Sequence, residues 1–293
     1  MEKRVTFRGW WLPMLLIAPQ VLISAVFFFY PAGQAVYQSL FIPDPFGLSS
    51  QFVGLGNFEF LFGDRFYRAA FGTTAMFSIL VTLCSMIPAL FLAVMADRLI
   101  KGSGVYRTML IWPYAVAPAI AGVLWLFMFN TRVGVVSWYL GSLGYDWNHV
   151  LNGGEAMGLV VVASAWGRIS YNFLFFFAAL QAVPRSVIEA AAIDGARFWR
   201  RFWTIVLPLL SPTTFFLLVV NIVYSFFETF GVIHTITSGG PQQSTTVLVY
   251  KVFADGFVGQ DLGSSSAQSV VLLFVVGLLT IVQFKFVEKR VHY

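Results

Sequence analysis

From residue 10 to about residue 30 the chain runs through apolar side chains without one charge. Similar runs follow at about 71–96, 109–129, 157–180, 207–230 and 267–286. Each is near or above the roughly 20 residues that a helix needs to cross hydrocarbon. Hydrocarbon supplies no hydrogen bonds, so a spanning segment must satisfy its own backbone, as a helix or in a closed barrel. Strand-type alternation is absent, which leaves helices. The expectation is an all-α polytopic membrane protein with six transmembrane helices. Composition agrees: 58% hydrophobic and 11% charged lies outside the soluble range of about 45–50% and about 25%. The single Cys84 excludes an intrachain disulfide, and His149, His234 and His292 lack metal-ligand spacing. The first run follows Lys3, Arg4 and Arg8 as a signal peptide would. It is longer than a signal core and no small-residue cleavage site follows, so it reads as a retained helix.

Six spans put both termini on one side, and the basic residues say which. That side holds Lys3, Arg4, Arg8, then Arg98, Lys101, Arg107, then Arg185, Arg197, Arg200, Arg201, then Lys285, Lys289 and Arg290. The opposite side holds Arg65, Arg68, Arg132 and Lys251. The bias places both termini in the cytoplasm by the positive-inside rule, and it accounts for the net charge of +5 without nucleic acid. Residues 31–70, 130–156 and 231–266 read as polar loops on the outer side. The run at 109–129 is broken by Pro113 and Pro118.

One cytoplasmic stretch, 184–208, mixes charge, alanine and aromatics. Ser186 and Glu189 have the spacing of a capping box. A short helix through Ala190, Ala191 and Ala192 is expected to end at Gly195, and a second helix to carry Arg197, Arg200, Arg201 and Thr204 on one side and Phe198, Phe202 and Ile205 on another. Pro208 marks the next boundary, because proline disfavours helical geometry in the residue before it. Two readings stand: a helical hairpin resting on anionic headgroups, or a docking element that transmits force to the spans.

Two charges fall within spans. Arg168 at mid-span costs about 2.5–3.5 kcal/mol on insertion scales, so it should face the bundle interior or a cavity. It either pairs with Glu228 or backbone carbonyls, binds a phosphate, whose geometry a guanidinium matches with two parallel hydrogen bonds, or snorkels. Asn172, one turn on, shares its helix face and has the chemistry to bond a hydroxyl. Glu228 is either an interfacial carboxylate, a partner of Arg168 or an acceptor for hydroxyls. No phosphate-binding G-x-x-x-x-G-K-[ST] loop, nucleophile–base pair or paired-carboxylate site is recognisable.

Glu189-Ala190-Ala191, then Gly195, then Ile205-x-Leu207-Pro208 resembles the EAA motif of permeases in bacterial ABC importers. Arg185, Asp194 and Ser238-Gly-Gly-Pro241 fit the sugar-importer branch. Leu55-Gly-Asn-Phe58, Pro113-Tyr-Ala-Val-Ala-Pro118, Tyr145-Asp-Trp-Asn-His149 and Ile169-Ser-Tyr-Asn-Phe173 are similar to the A-type permeases of sn-glycerol-3-phosphate importers. The resemblance implies a type-1 ABC importer permease fold in the bacterial inner membrane. It implies an N-terminal segment 1–70, a permease core 71–286 and a tail 287–293. Glu189, Ala190, Ala191, Asp194, Gly195, Ile205, Leu207 and Pro208 would couple to an ATPase. It also implies the partners: a second, related permease, two copies of a cytoplasmic ATPase and a periplasmic binding protein. The chain would bind no cofactor, with ATP on the ATPase. Sn-glycerol-3-phosphate or a glycerophosphodiester would be carried by alternating access, with Arg168, Asn172 and Glu228 along the pathway. The alternatives are a sugar cargo on the same architecture, or an intramembrane enzyme or ion-coupled carrier working alone.

Overall fold

A computed structural model describes residues 9–44, 49–98 and 103–287. Lys3, Arg4, Arg8, Lys101, Lys289 and Arg290, on which part of the charge bias rests, lie outside the described residues, as does the tail beyond residue 287.

The chain divides into two compact units. The first comprises the residues up to Asp64 with Val252–Val271. It opens with α1 (Trp11–Ser24), a π-helical turn (Ala25–Phe29) and α2 (Tyr30–Gln38). Pro31 was expected to open a loop, yet the helix continues past it. The wider π turn stands immediately before the proline and accommodates its ring. No residue of α1 is buried, as suits a span whose solvent is lipid. A hairpin of β1 (Phe41–Pro43) and β2 (Ser50–Phe52) follows, with Phe41 opposite Phe52 and Pro43 opposite Ser50. This small strand pair lies in a stretch expected to be irregular, as does α3 (Gly56–Gly63). Asn57 ties the two together by donating to Ser39 O at 2.8 Å and Phe41 O at 3.0 Å.

The second unit runs from Arg65 to Lys251 and resumes at Leu272. Its axis is α4 (Arg65–Arg98), which begins before the expected residue 71. Then come α5 (Ser103–Ile111), a 3₁₀ turn (Trp112–Ala115), α6 (Pro118–Met128), α7 (Val135–Ser142) and α8 (Gly153–Ala182). The expected third span is two helices bent by 102° between Ala115 and Pro118. Ala117 is extended ahead of Pro118, which starts α6 at its first turn. Asn152 caps α8, its Oδ1 accepting from Gly154 N at 2.9 Å, while Glu155 binds the Asn152 amide at 3.1 Å.

After α8 come α9 (Arg185–Ile193), α10 (Phe198–Arg201), a π turn (Phe202–Val206), α11 (Leu207–Leu209), α12 (Ser211–Phe227) and α13 (Phe230–Ile236). Last are α14 (Leu248–Phe253), a further π turn (Ala254–Val258), α15 (Leu262–Val282) and a final π turn (Gln283–Val287), so 231–266 is largely helical. The boundary expected at Pro208 is also displaced. Leu207 is helical (φ −62°, ψ −42°), and the chain bends by 66° at Leu210 instead. As at Pro31, a π turn precedes the proline. Among the described residues, four helices are long and apolar enough to cross a membrane, or up to six if each bent pair counts as one span.

The core of this unit is the contact of α4 with α8. Phe77, Val81, Ser85, Ala89, Ala93 and Ala96 recur at helical spacing on α4 and are all but inaccessible. Small residues there let the backbones approach, since lipid provides no hydrophobic drive between helices. Toward one end the stripe packs on Phe173, Phe176, Phe177 and Leu180 of α8, with Phe202, Val206, Leu210 and Leu217 completing the cluster. Toward the middle it becomes polar.

Candidate functional sites

Arg168 sits on α8 at 7% exposure. Its Nε donates to Asn221 Oδ1 on α12 at 3.2 Å. Asn221 in turn donates to Asn172 Oδ1 at 2.8 Å and to Leu217 O at 2.7 Å. Asn172 donates to Ser85 Oγ on α4 at 3.1 Å. Three helices are therefore joined by neutral polar side chains behind one buried cation. The guanidinium lies over the rings of Tyr171 and Tyr224, 4.3 and 4.5 Å from their centroids, which offsets part of its desolvation. Nη2 is buried and has no hydrogen-bond partner.

Arg168 also lines a cavity of about 320 Å³. One wall is the break between α5 and α6, from Pro113 to Pro118. Ser164 and Gly167 of α8 and Tyr224 of α12 supply others. Non-helical backbone is tolerated at membrane depth where it lines such a space, so the two prolines that break the run also form a cavity wall. Glu228, the C-cap residue of α12, lines the same cavity and is exposed. No ion pair joins it to Arg168; Asn221 takes the place that the sequence reading offered to Glu228. Asn172 shares the face of Arg168, but it is fully buried behind it and is not on the cavity wall. Its amide is spent on Asn221 and Ser85. Asn221 and Ser85 were not foreseen, because each is one of several uncharged polar residues scattered through an apolar run. The available signal was their place on the buried face of a helix.

The second site is the cytoplasmic hairpin. The capping box is not formed: Pro184 occupies the N-cap position of α9, Ser186 falls inside the first turn and no side chain caps the helix. Proline, with its preset φ and no N–H, starts the helix early, so the Ser186 hydroxyl is no longer at the end. The other end forms as expected. Gly195 has φ +80°, Ala196 N bonds to Ala191 O at 3.0 Å and Gly195 N to Ala192 O at 3.1 Å, a Schellman pair. Asp194 is the C-cap residue.

No residue of α9 is fully buried. Ile193 is 87% exposed, and Val187, Glu189 and Ala190 are exposed beside it. What holds the hairpin in place is its inner side. Ile188, Phe198 and Leu207 pack against the core cluster to which Phe202 and Val206 belong. Arg201 Nη1 donates to Ile188 O at 3.3 Å, joining the second helix to the first. Ile205 is half-buried and Pro208 follows the π turn. The arginines therefore differ: Arg201 is a brace, while Arg197 and Arg200 are exposed.

Bent apolar helices around a cavity, with an anchored hairpin at one end, define a multi-spanning transport subunit. Residues 3–293 match the family described as "Binding-protein-dependent transport system inner membrane component", and the chain belongs to that family. It is 59% identical over 291 residues, 99% of each chain, to the sn-glycerol-3-phosphate transport system permease protein UgpA of Rhizobium meliloti (strain 1021). It is 57% identical to the protein of the same name from Salmonella typhi, over all of this chain and 99% of that one. Among solved structures, a bacterial ABC transporter involved in import of the acidic polysaccharide alginate has the same fold, with a TM-score of 0.80 at 20% identity, covering 94% of this chain and 96% of that one. The chain is thus a multi-pass inner-membrane transport subunit and not an enzyme.

Proposed function

We propose that this chain is a permease subunit of an ATP-driven importer for sn-glycerol-3-phosphate, working by alternating access. The observation that carries the substrate is Arg168: a buried cation with a free Nη2, on the wall of a cavity in a transport subunit. Arginine matches phosphate geometry, and a buried charge of this kind is retained for a ligand or a partner. Relatives at 57–59% identity carry that substrate in their names. Glu228, across the cavity, would accept from glycerol hydroxyls, and Asn172 would act by holding Asn221.

The hairpin would dock on the ATPase. Its outward residues, Glu189, Ala190, Ala191, Asp194 and Gly195, would enter the ATPase surface, and Ile205, Leu207 and Pro208 would carry its movement into α12. Exposed apolar side chains on an anchored helix support this, because Ile193 and Val187 gain from a protein partner what water does not give them. The assembly would hold a second, related permease, two ATPase copies and a periplasmic binding protein, with both termini of this chain and the ATP on the cytoplasmic side. Residues 71–286 would form the translocating core. ATP binding would then shift the population between two packings of the helices; the chain itself makes and breaks no covalent bond.

Uptake into proteoliposomes containing the whole complex tests this. ATP-dependent accumulation of sn-glycerol-3-phosphate is expected. Accumulation of a neutral sugar alone would overturn the substrate, and substrate-driven transport by this chain without ATP would overturn the class.

A further inference from the structure

The partner of Arg168 is an amide where a carboxylate would be the usual choice. One edge of a guanidinium presents Nε–H and an Nη2–H in parallel, and a carboxylate takes both as a fork. Asn221 offers a single oxygen. It takes Nε at 3.2 Å, and Nη2 stays without a partner. The amide is oriented by its neighbours: its nitrogen is committed to Asn172 Oδ1 and Leu217 O, so its oxygen must face the arginine. Among the described residues no acidic group forms an ion pair with Arg168, although Glu228 lines the same cavity.

We infer that Asn221 is a positioning residue that sets substrate specificity: its neutral oxygen, which also accepts from Asn172 Nδ2 and Ser85 Oγ at 3.4 Å, holds the guanidinium by Nε and leaves its charge, and the Nη2–H that this packing covers, for an anionic phosphate monoester. This rests on the function proposed above and deepens it. A site with an unpaired buried donor and a charge that no ion pair neutralises discriminates by what a ligand fails to supply. A polyol hydroxyl can accept from the donor but leaves the charge unmet, whereas a phosphate meets both. A carboxylate at 221 would complete the fork, neutralise the cation and remove the reason for an anion to bind.

Asn221→Asp is close to isosteric and tests the idea in the complete complex, reconstituted in proteoliposomes with its partner permease, ATPase and binding protein. Three quantities are measured: uptake of sn-glycerol-3-phosphate, uptake of glycerol, and ATP hydrolysis stimulated by loaded binding protein. Asn221→Asp is expected to lower uptake at least tenfold and hydrolysis less than threefold, so that less substrate moves per ATP. A merely structural role would lower both together. Asn221→Ser, which loses the acceptor but leaves Arg168 unneutralised, is expected to lower uptake clearly less than Asn221→Asp and to keep the preference for sn-glycerol-3-phosphate over glycerol; if the aspartate variant does not assemble, loss of that preference in the serine variant would overturn the inference. Wild-type uptake by Asn221→Asp, or losses of the same size in both variants, would overturn the inference. A wild-type complex that carries only neutral sugars would overturn the function and the inference together. Sn-glycerol-3-phosphate uptake by wild type with an unaffected aspartate variant would overturn the inference alone.

Discussion

The cavity and the cytoplasmic hairpin are unfinished in opposite ways. Around Arg168 the protein keeps a polar group unmet inside: Nη2 is buried with no acceptor. At α9 it keeps apolar groups unmet outside: Ile193 is 87% exposed beside Val187 and Ala190. Both departures cost free energy in the isolated chain. A buried unsatisfied donor costs about 1–3 kcal/mol, more when charged, and burying an exposed Ile is worth about 1.5–3 kcal/mol. Each departure is held rigidly by its inner side: the Asn221–Asn172–Ser85 chain behind the cation, and the Ile188, Phe198 and Phe202 contacts beneath the hairpin. In the function proposed above, the first surface would be completed by cargo and the second by the motor.

Removing the cation should break the first half of this comparison most strongly. Arg168→Ala is expected to lower sn-glycerol-3-phosphate uptake by about 100-fold, the scale of losing one buried charged partner, with ATPase subunits still bound in pull-down. Gly195→Asp addresses the second half. A Cβ there would meet nothing within 4 Å, but φ is +80°, so the fold should lose only about 1–2 kcal/mol and the spans should still insert. ATPase retention in the membrane is expected to fall about tenfold if the hairpin docks as proposed. Normal ATPase binding would remove the hairpin from the comparison.

Smaller effects separate supports from contacts. Asn172→Ala leaves Asn221 Nδ2 with only Leu217 O and should lower stability by about 1–3 kcal/mol, read as a lower Tm of the purified complex. Its loss of uptake should be well below that of Arg168→Ala. Glu189→Gln should leave Tm unchanged, because no side chain caps α9, while reducing stimulated hydrolysis severalfold. A clear drop in Tm would show that Glu189 supports the hairpin after all.

The spans and the hairpin were legible in the sequence because they depend on local rules. Apolar length marks a span, and Gly195 marks a left-handed turn that the structure forms. The prolines were only half legible. Pro113 and Pro118 do break the third span, but Pro31 and Pro208 sit within continuing helices because a π turn precedes each, and nothing local announces a π turn. The capping box failed for a related reason: Pro184 moved the helix start by two residues and took Ser186 out of position. Within the cavity, Arg168 stood out as a charge in an apolar run, and so did Glu228. Their relation did not, because Asn221 lies 53 residues from Arg168 and meets it only once α8 and α12 pack. A contact of that kind belongs to tertiary structure, where one-dimensional spacing carries no record of it.

The central claim concerns the free edge of one guanidinium, and it is tested most directly by a structure of the assembled complex with sn-glycerol-3-phosphate in its membrane cavity. The account predicts a phosphate oxygen within hydrogen-bond distance of Arg168 Nη2, with Nε still on Asn221. Phosphate bound away from Arg168, or Arg168 paired with Glu228 while the ligand is present, would contradict it.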